Sequence, residues 1–102
     1  MEQWCERTGD RGVVATGVVL MAGVAAFRSF EASLRLFSRG NYREVVVDFS
    51  ECLYIDSYAI ALIISASRRL RKTGATLIIK NANREISELL HAIKIDRIIE
   101  FV

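Results

Sequence analysis

The chain of 102 residues contains no proline, one histidine and two cysteines. Each scarcity removes a class of explanation. Without proline there is no rigid proline-rich linker or polyproline recognition segment. Cys5 and Cys52 lie far apart and His91 stands alone, so neither zinc-like nor redox-motif spacing exists, and two reduced thiols in a cytosolic protein are expected. A run of about 20 apolar residues, as a bilayer-spanning helix requires, is missing too. The nearest approach is the uncharged stretch Gly12 to Phe27. It is interrupted by Gly12, Gly17 and Gly23 and follows no lysine- or arginine-rich start, so neither a signal segment nor direct membrane insertion is expected. A glycine-rich phosphate loop, a nucleophile with a paired base and a catalytic carboxylate pair are likewise absent. The chain therefore reads as no enzyme and as needing no cofactor. The excess of one charge sign is small, with 14 Lys plus Arg against 12 Asp plus Glu, which calls for no nucleic-acid partner.

Abundance lies in apolar residues, 52% of the chain, with a mean hydropathy of +0.27. Such a chain folds rather than staying disordered, and its length suits one domain spanning residues 1 to 102. Gln3 to Arg7 reads as a short edge strand, followed by the Gly/Asp turn Gly9-Asp10-Arg11-Gly12. Val13 to Val19 reads as a central strand, because buried strands appear as continuous apolar runs. Phe27, Phe30, Leu34 and Phe37 recur at three- and four-residue spacing before Gly40, which marks an amphipathic helix and its stop. A strand over Glu44 to Phe49 leads to a helix over Ser57 to Thr73, with Ile60, Leu62, Ile63, Ile64 and Ala66 as its apolar face. Arg68, Arg69, Arg71 and Lys72 then suit the negative end of its dipole. Thr76 to Ile79 is a further strand, Arg84 to Ile93 a short helix and Arg97 to Phe101 a last strand. Strands alternating with helices imply an α/β fold. The expectation is a small, mostly parallel sheet of four or five strands, with an opening antiparallel strand, flanked by about three helices. Sites in such folds lie at the carboxyl ends of strands, where Asp56 and Ser57 fall.

Several segments resemble a STAS domain, the fold of bacterial anti-sigma-factor antagonists. They are Val45-Val46-Val47-Asp48-Phe49, the junction Tyr54-Ile55-Asp56-Ser57, the helix end Arg68-Arg69-Leu70-Arg71, and Lys72-Thr73-Gly74-Ala75. The likeness runs from about Gly40 to Val102 and is one of topology before that. In the phosphorylated antagonists, the serine after this aspartate accepts phosphate from a serine kinase that doubles as the anti-sigma factor. The resemblance thus implies Ser57 as phosphoacceptor in a cytoplasmic partner-switching module, with that kinase as partner. Asp56, Tyr58, Ala59, Leu62 and Tyr54 are the corresponding partner-binding residues.

The chain departs from the family pattern in carrying Tyr58 and Ala59 where a small hydroxyl residue and glycine are usual. Val18 to Met21 also lacks the family's acidic residue. Many members add a further helix beyond the position of Val102, so a sheet edge or helix face is expected to serve association. Other branches of the family are subunits of stress-sensing scaffolds, where homo-oligomers form, and accessory subunits of membrane lipid transporters. In those readings Ser57 is only a capping residue, contributing about 1 kcal/mol. His91 is assigned no role, and Cys52 reads as a small core residue.

Overall fold

The computed structural model describes residues 5 to 102, and side chains from residue 9 onward. Strands β1 (Cys5–Thr8) and β2 (Arg11–Ala15) form an antiparallel hairpin in which Thr8 faces Arg11 across Gly9-Asp10. Of the expected edge strand, residues 5 to 7 belong to β1, whereas Gln3 and Trp4 lie outside the described residues.

The second strand ends at Ala15, short of the expected Val19. Gly17 breaks the apolar run with a φ of +74°, a left-handed conformation that glycine adopts freely and the neighbouring valines do not. Beyond the break, β3 (Val19–Leu20) pairs in parallel with β5 (Tyr54–Ile55) as a separate two-stranded sheet. The only mark in the sequence of where the chain changes sheet is Thr16-Gly17, and the valines on both sides of it read as one strand. The expectation of one long strand fails for that reason.

Helix α1 (Ala25–Arg39) follows and buries Phe27, Phe30, Leu34 and Phe37, the stripe its spacing predicts. Strand β4 (Glu44–Asp48) leads through β5 to helix α2 (Ser57–Arg71). The buried stripe of α2 is Ala59, Ile63, Ala66, Ser67 and Leu70, rotated from the expected one. Ile60, Leu62 and Ile64 are only half-buried, flanking the stripe. Ile63 and Leu70 fill the core from this stripe, with the small residues Ala59, Ala66 and Ser67 between them. The helix ends in a Schellman arrangement: the Ala75 N–H donates to the Leu70 carbonyl at 2.9 Å and the Gly74 N–H to Arg71 at 3.1 Å. Gly74 sits at φ +80°, which explains a glycine there.

Strand β6 (Thr76–Lys80) precedes helix α3 (Arg84–Ala92), whose N-cap Asn83 accepts a bond from the Ile86 N–H at 2.8 Å. The expected last strand over Arg97 to Phe101 is instead a 3₁₀ turn, Ile95–Arg97, and a two-residue strand, β7 (Glu100–Phe101). Ile95 and Ile99 are buried four residues apart, and the Ile98 and Ile99 N–H groups both donate to the Ile95 carbonyl at 3.0 Å, so the apolar spacing there serves a turn rather than a strand.

The main sheet has the order β1-β2-β4-β6-β7, parallel throughout except for the β1–β2 pair. From β2 onward the order advances in one direction only. With right-handed crossovers, every connecting helix then falls on the same face. The core agrees: its strand residues are Val14, Val45, Val47, Leu77 and Ile79, which the register places on one face, joined by residues from all three helices. The molecule is therefore two layers, a sheet of five strands under three helices, with the small β3–β5 sheet at the carboxyl ends of β2 and β4. No helix among the described residues is long and apolar enough to cross a membrane.

Candidate functional site

The path to the site begins at Asp48, where β4 ends. Its carboxylate Oδ1 accepts the Ser50 N–H at 2.9 Å and the Asn81 side-chain amide at 3.4 Å, and so turns the chain away from the sheet. Asp48 braces this turn. Phe49 and Cys52 anchor the turn in the core, and the Cys52 N–H donates to the Phe49 carbonyl at 3.0 Å. Burial pushes the Cys52 thiol pKa up, against smaller opposing contributions from the Thr16 side chain and the Tyr54 backbone. Its environment makes it an inert core residue rather than a nucleophile. Asn83 reaches the same turn through a bond of 3.1 Å to the Cys52 carbonyl, tying the start of α3 to the loop.

The chain then returns beside β3. Leu53 donates to the Val18 carbonyl at 2.8 Å, and the Asp56 N–H donates to Leu20 at 3.3 Å. Asp56 is extended, at φ −111° and ψ 174°, the backbone of an N-cap. Its two oxygens serve two segments. Oδ1 accepts the Ala59 N–H at 2.9 Å and caps α2; Oδ2 accepts the Ala22 N–H at 2.9 Å and fixes the β3–α1 loop. One carboxylate thus joins segments 34 positions apart.

Ser57 is the first residue of α2 and is exposed. Because Asp56 has taken the cap, the Ser57 hydroxyl makes no hydrogen bond among the described residues, and there the Ser57 and Tyr58 N–H groups are free. A hydroxyl beside two free amides at the positive end of a helix dipole suits a phosphoryl group. Tyr58 is 60% exposed and leans on buried Phe27 of α1, with ring centroids 5.8 Å apart. Around it, Met21, Val24, Leu53 and Tyr54 are also exposed, so five of the nine large exposed apolar side chains among the described residues lie on segments tied together by Asp56 and β5. Clustering of that kind marks a contact surface more than single exposed residues do.

Two residues expected at this surface are placed otherwise. Ala59 is fully buried and serves through its backbone N–H, its methyl group being needed where α2 meets the core. Leu62 is half-buried one turn on, in the groove between α1 and α2 beside Leu34, Ser38 and Ala66. Ala59 thus turns inward, whereas Leu62, one turn on from Tyr58, stays on its side of the helix but is partly covered by α1. Conversely, Met21, Ala22 and Val24 were not expected at the site. The signal available was a pair of large apolar residues around a glycine immediately before an amphipathic helix, which composition alone assigns to the core.

His91 bonds the Ser87 carbonyl through Nδ1 at 2.7 Å and packs on Phe101, with centroids 4.6 Å apart and the rings tilted by 41°. It is a packing residue of α3 against β7.

A two-layer sheet-and-helix domain whose Asp-Ser junction opens the second helix defines a STAS-type module. The family model described as Mlab, STAS domain, matches residues 6–100, and the chain belongs to that family. No curated protein sequence matches it significantly. Among solved structures, the anti-sigma factor antagonist SpoIIAA, a Bacillus cell-fate determinant, is similar in its phosphorylated form at a TM-score of 0.77 and 15% identity, covering 98% of this chain and 90% of that one. A STAS domain protein from Planctomyces limnophilus gives 0.81 at 12% identity, over 99% and 88% of the two chains. RsbS of Moorella thermoacetica, in a form with serine replaced by glutamate, gives 0.75 at 19% identity, over 100% and 86%. At these identities the likeness is one of fold. The STAS fold, shared with anti-sigma-factor antagonists, is that of a binding module.

Proposed function

We propose that this chain is an anti-sigma-factor antagonist-like binding module, docking through the exposed apolar surface around Ser57 onto a serine kinase that doubles as an anti-sigma factor. Phosphorylation of Ser57 by that kinase is the switch. The observation carrying this reading is that Ser57 is exposed, unbonded among the described residues and relieved of capping by Asp56. A serine retained only to cap would hold the bond that Asp56 holds. Phosphate there adds about two negative charges next to the Asp56 carboxylate and amid Tyr54, Tyr58, Leu53 and Met21. Charge repulsion and the cost of desolvating the phosphate then prevent docking, while the free amides of Ser57 and Tyr58 hold it on the helix. That SpoIIAA is known in both phosphorylated and unphosphorylated forms is in keeping with such a switch in this fold. The module acts in the cytoplasm and performs no chemistry itself.

A second reading follows from the family model, which is described by its Mlab members. In it the chain is a non-switching STAS subunit, of a membrane lipid transporter or of a stress-sensing scaffold, and uses the same surface with Ser57 unmodified.

Intact-mass and phosphopeptide analysis of protein from its native host, with and without phosphatase, separates the two. A phosphatase-sensitive phosphoryl group on Ser57 is the expected result, and Ser57→Asp is expected to abolish kinase binding with the fold intact. Ser57 unmodified under growth and stress alike overturns the switch in favour of the subunit.

A further inference from the structure

The solvent side of α2 is one unbroken stripe. Tyr58, Ala61, Ser65, Arg68 and Lys72 are all exposed and follow at alternating three- and four-residue steps, with Arg69 alongside. The stripe opens with an aromatic ring, passes over two small residues and ends in three cations. Between Ala61 and Lys72 it forms an open groove of about 630 Å³, with half-buried Ile64 on one side.

The charge on this stripe is unanswered among the described residues. No acidic residue occurs on α2, and the one acid of α1, Glu31, is already paired with Arg35 at 2.8 Å. Arg68, Arg69 and Lys72 make no hydrogen bond or ion pair among the described residues. A helix dipole accounts for cations in the last turn, yet it gives no reason for a groove beside them.

We propose that the exposed face of α2 seats an acidic helix of a protein partner, lying along the groove with its carboxylates against Arg68, Arg69 and Lys72. This rests on the docking reading above and extends it: the apolar surface at the start of α2 supplies the anchor, and the cationic end supplies register and specificity. Small residues at Ala61 and Ser65 let a second backbone approach closely, as helix pairs require. Length agrees, because Tyr58 to Lys72 spans about 21 Å at 1.5 Å per residue, some four turns of a partner helix. An anionic membrane fits less well. Surface-binding helices insert large apolar side chains beside their cations, whereas here the large exposed ones sit at the opposite end of the helix.

The test uses the full chain, isotope-labelled, titrated with three probes: a helical alanine peptide bearing glutamates on one face, its glutamine counterpart, and phosphatidylcholine vesicles containing phosphatidylglycerol. Binding of the glutamate peptide is expected to shift the amides of Ala61, Ser65 and Arg69. Neutralising Arg68→Gln, Arg69→Gln and Lys72→Gln together is expected to weaken it about tenfold. Ser65→Trp, which fills the groove and leaves every cation, is expected to weaken it as well. Circular dichroism verifies that both variants fold. Equal binding of the glutamine peptide, an unaffected triple variant, an unaffected Ser65→Trp, or binding of vesicles alone each overturns the proposal. An unmodified Ser57 with groove binding intact removes the switch and leaves this seat. A phosphorylated Ser57 with an unaffected triple variant does the reverse.

Discussion

Asp56 and Ser57 are neighbours with opposite duties. The aspartate holds two backbone amides, and the serine holds none. Asp56→Ala should therefore cost about 1–2 kcal/mol, measured as the shift in urea unfolding. Ser57→Ala should fall within about 0.5 kcal/mol of the parent, as a surface change without a lost bond. The usual reading of an Asp-Ser pair before a helix assigns both to capping. Residue types alone permit it, and only the geometry says which one caps. Cys52 offers a pH test at the same scale. Its thiol pKa is raised above the ordinary 9.0 mainly by burial, so the folded chain keeps a proton that the unfolded chain releases. The thiol's contribution to stability is whole below about pH 9 and is lost as pH rises through the folded pKa. The difference in urea midpoint between the parent and Cys52→Ala should shrink over that range.

Elements were legible where their pattern is local. The phenylalanine spacing of α1 predicts both the helix and its buried stripe, and the Gly74 stop places the end of α2 within a turn. The apolar run before α1 was not legible, because a strand that ends at Ala15 and a second that starts at Val19 share one composition. The packing of α1 on β2 can be tested at Gly12. A Cβ added there would meet the Phe37 ring at 2.9 Å, and ring and strand are both fixed in the core. Gly12→Ala should then destabilise by about 1–3 kcal/mol, seen in thermal or urea unfolding, with α1 displaced from the sheet.

For the molecule as a whole, the monotonic strand order has a dynamic consequence. Strand β4 is hydrogen-bonded on both sides and carries Val45, Val46 and Val47 at 0–1% exposure, whereas β7 is two residues long at the sheet's edge. Hydrogen exchange should be slowest in β4 and β6 and markedly faster in β7 and the β3–α1 loop. The proposed docking surface lies among these looser segments, held by the β3–β5 pairing and by Asp56. Loss of that tie in Asp56→Ala should accelerate exchange around Ala22 more than around Ala59, whose helix persists without it.

By itself the sequence determined the succession of the main-sheet strands and the three helices, the largely parallel sheet and the junction at which an acid and a hydroxyl meet a helix start. Each of these is written in spacing and turn chemistry that act over a few residues. Tertiary structure decided the rest: where the apolar run divides, that Ala59 turns inward while Tyr58 stays out, and that the second oxygen of Asp56 finds the amide of Ala22. It also decided that Arg68, Arg69 and Lys72 line an open groove along the solvent side of α2. Those outcomes depend on contacts between segments far apart in the chain, and the packing that selects them is a property of the assembled layers.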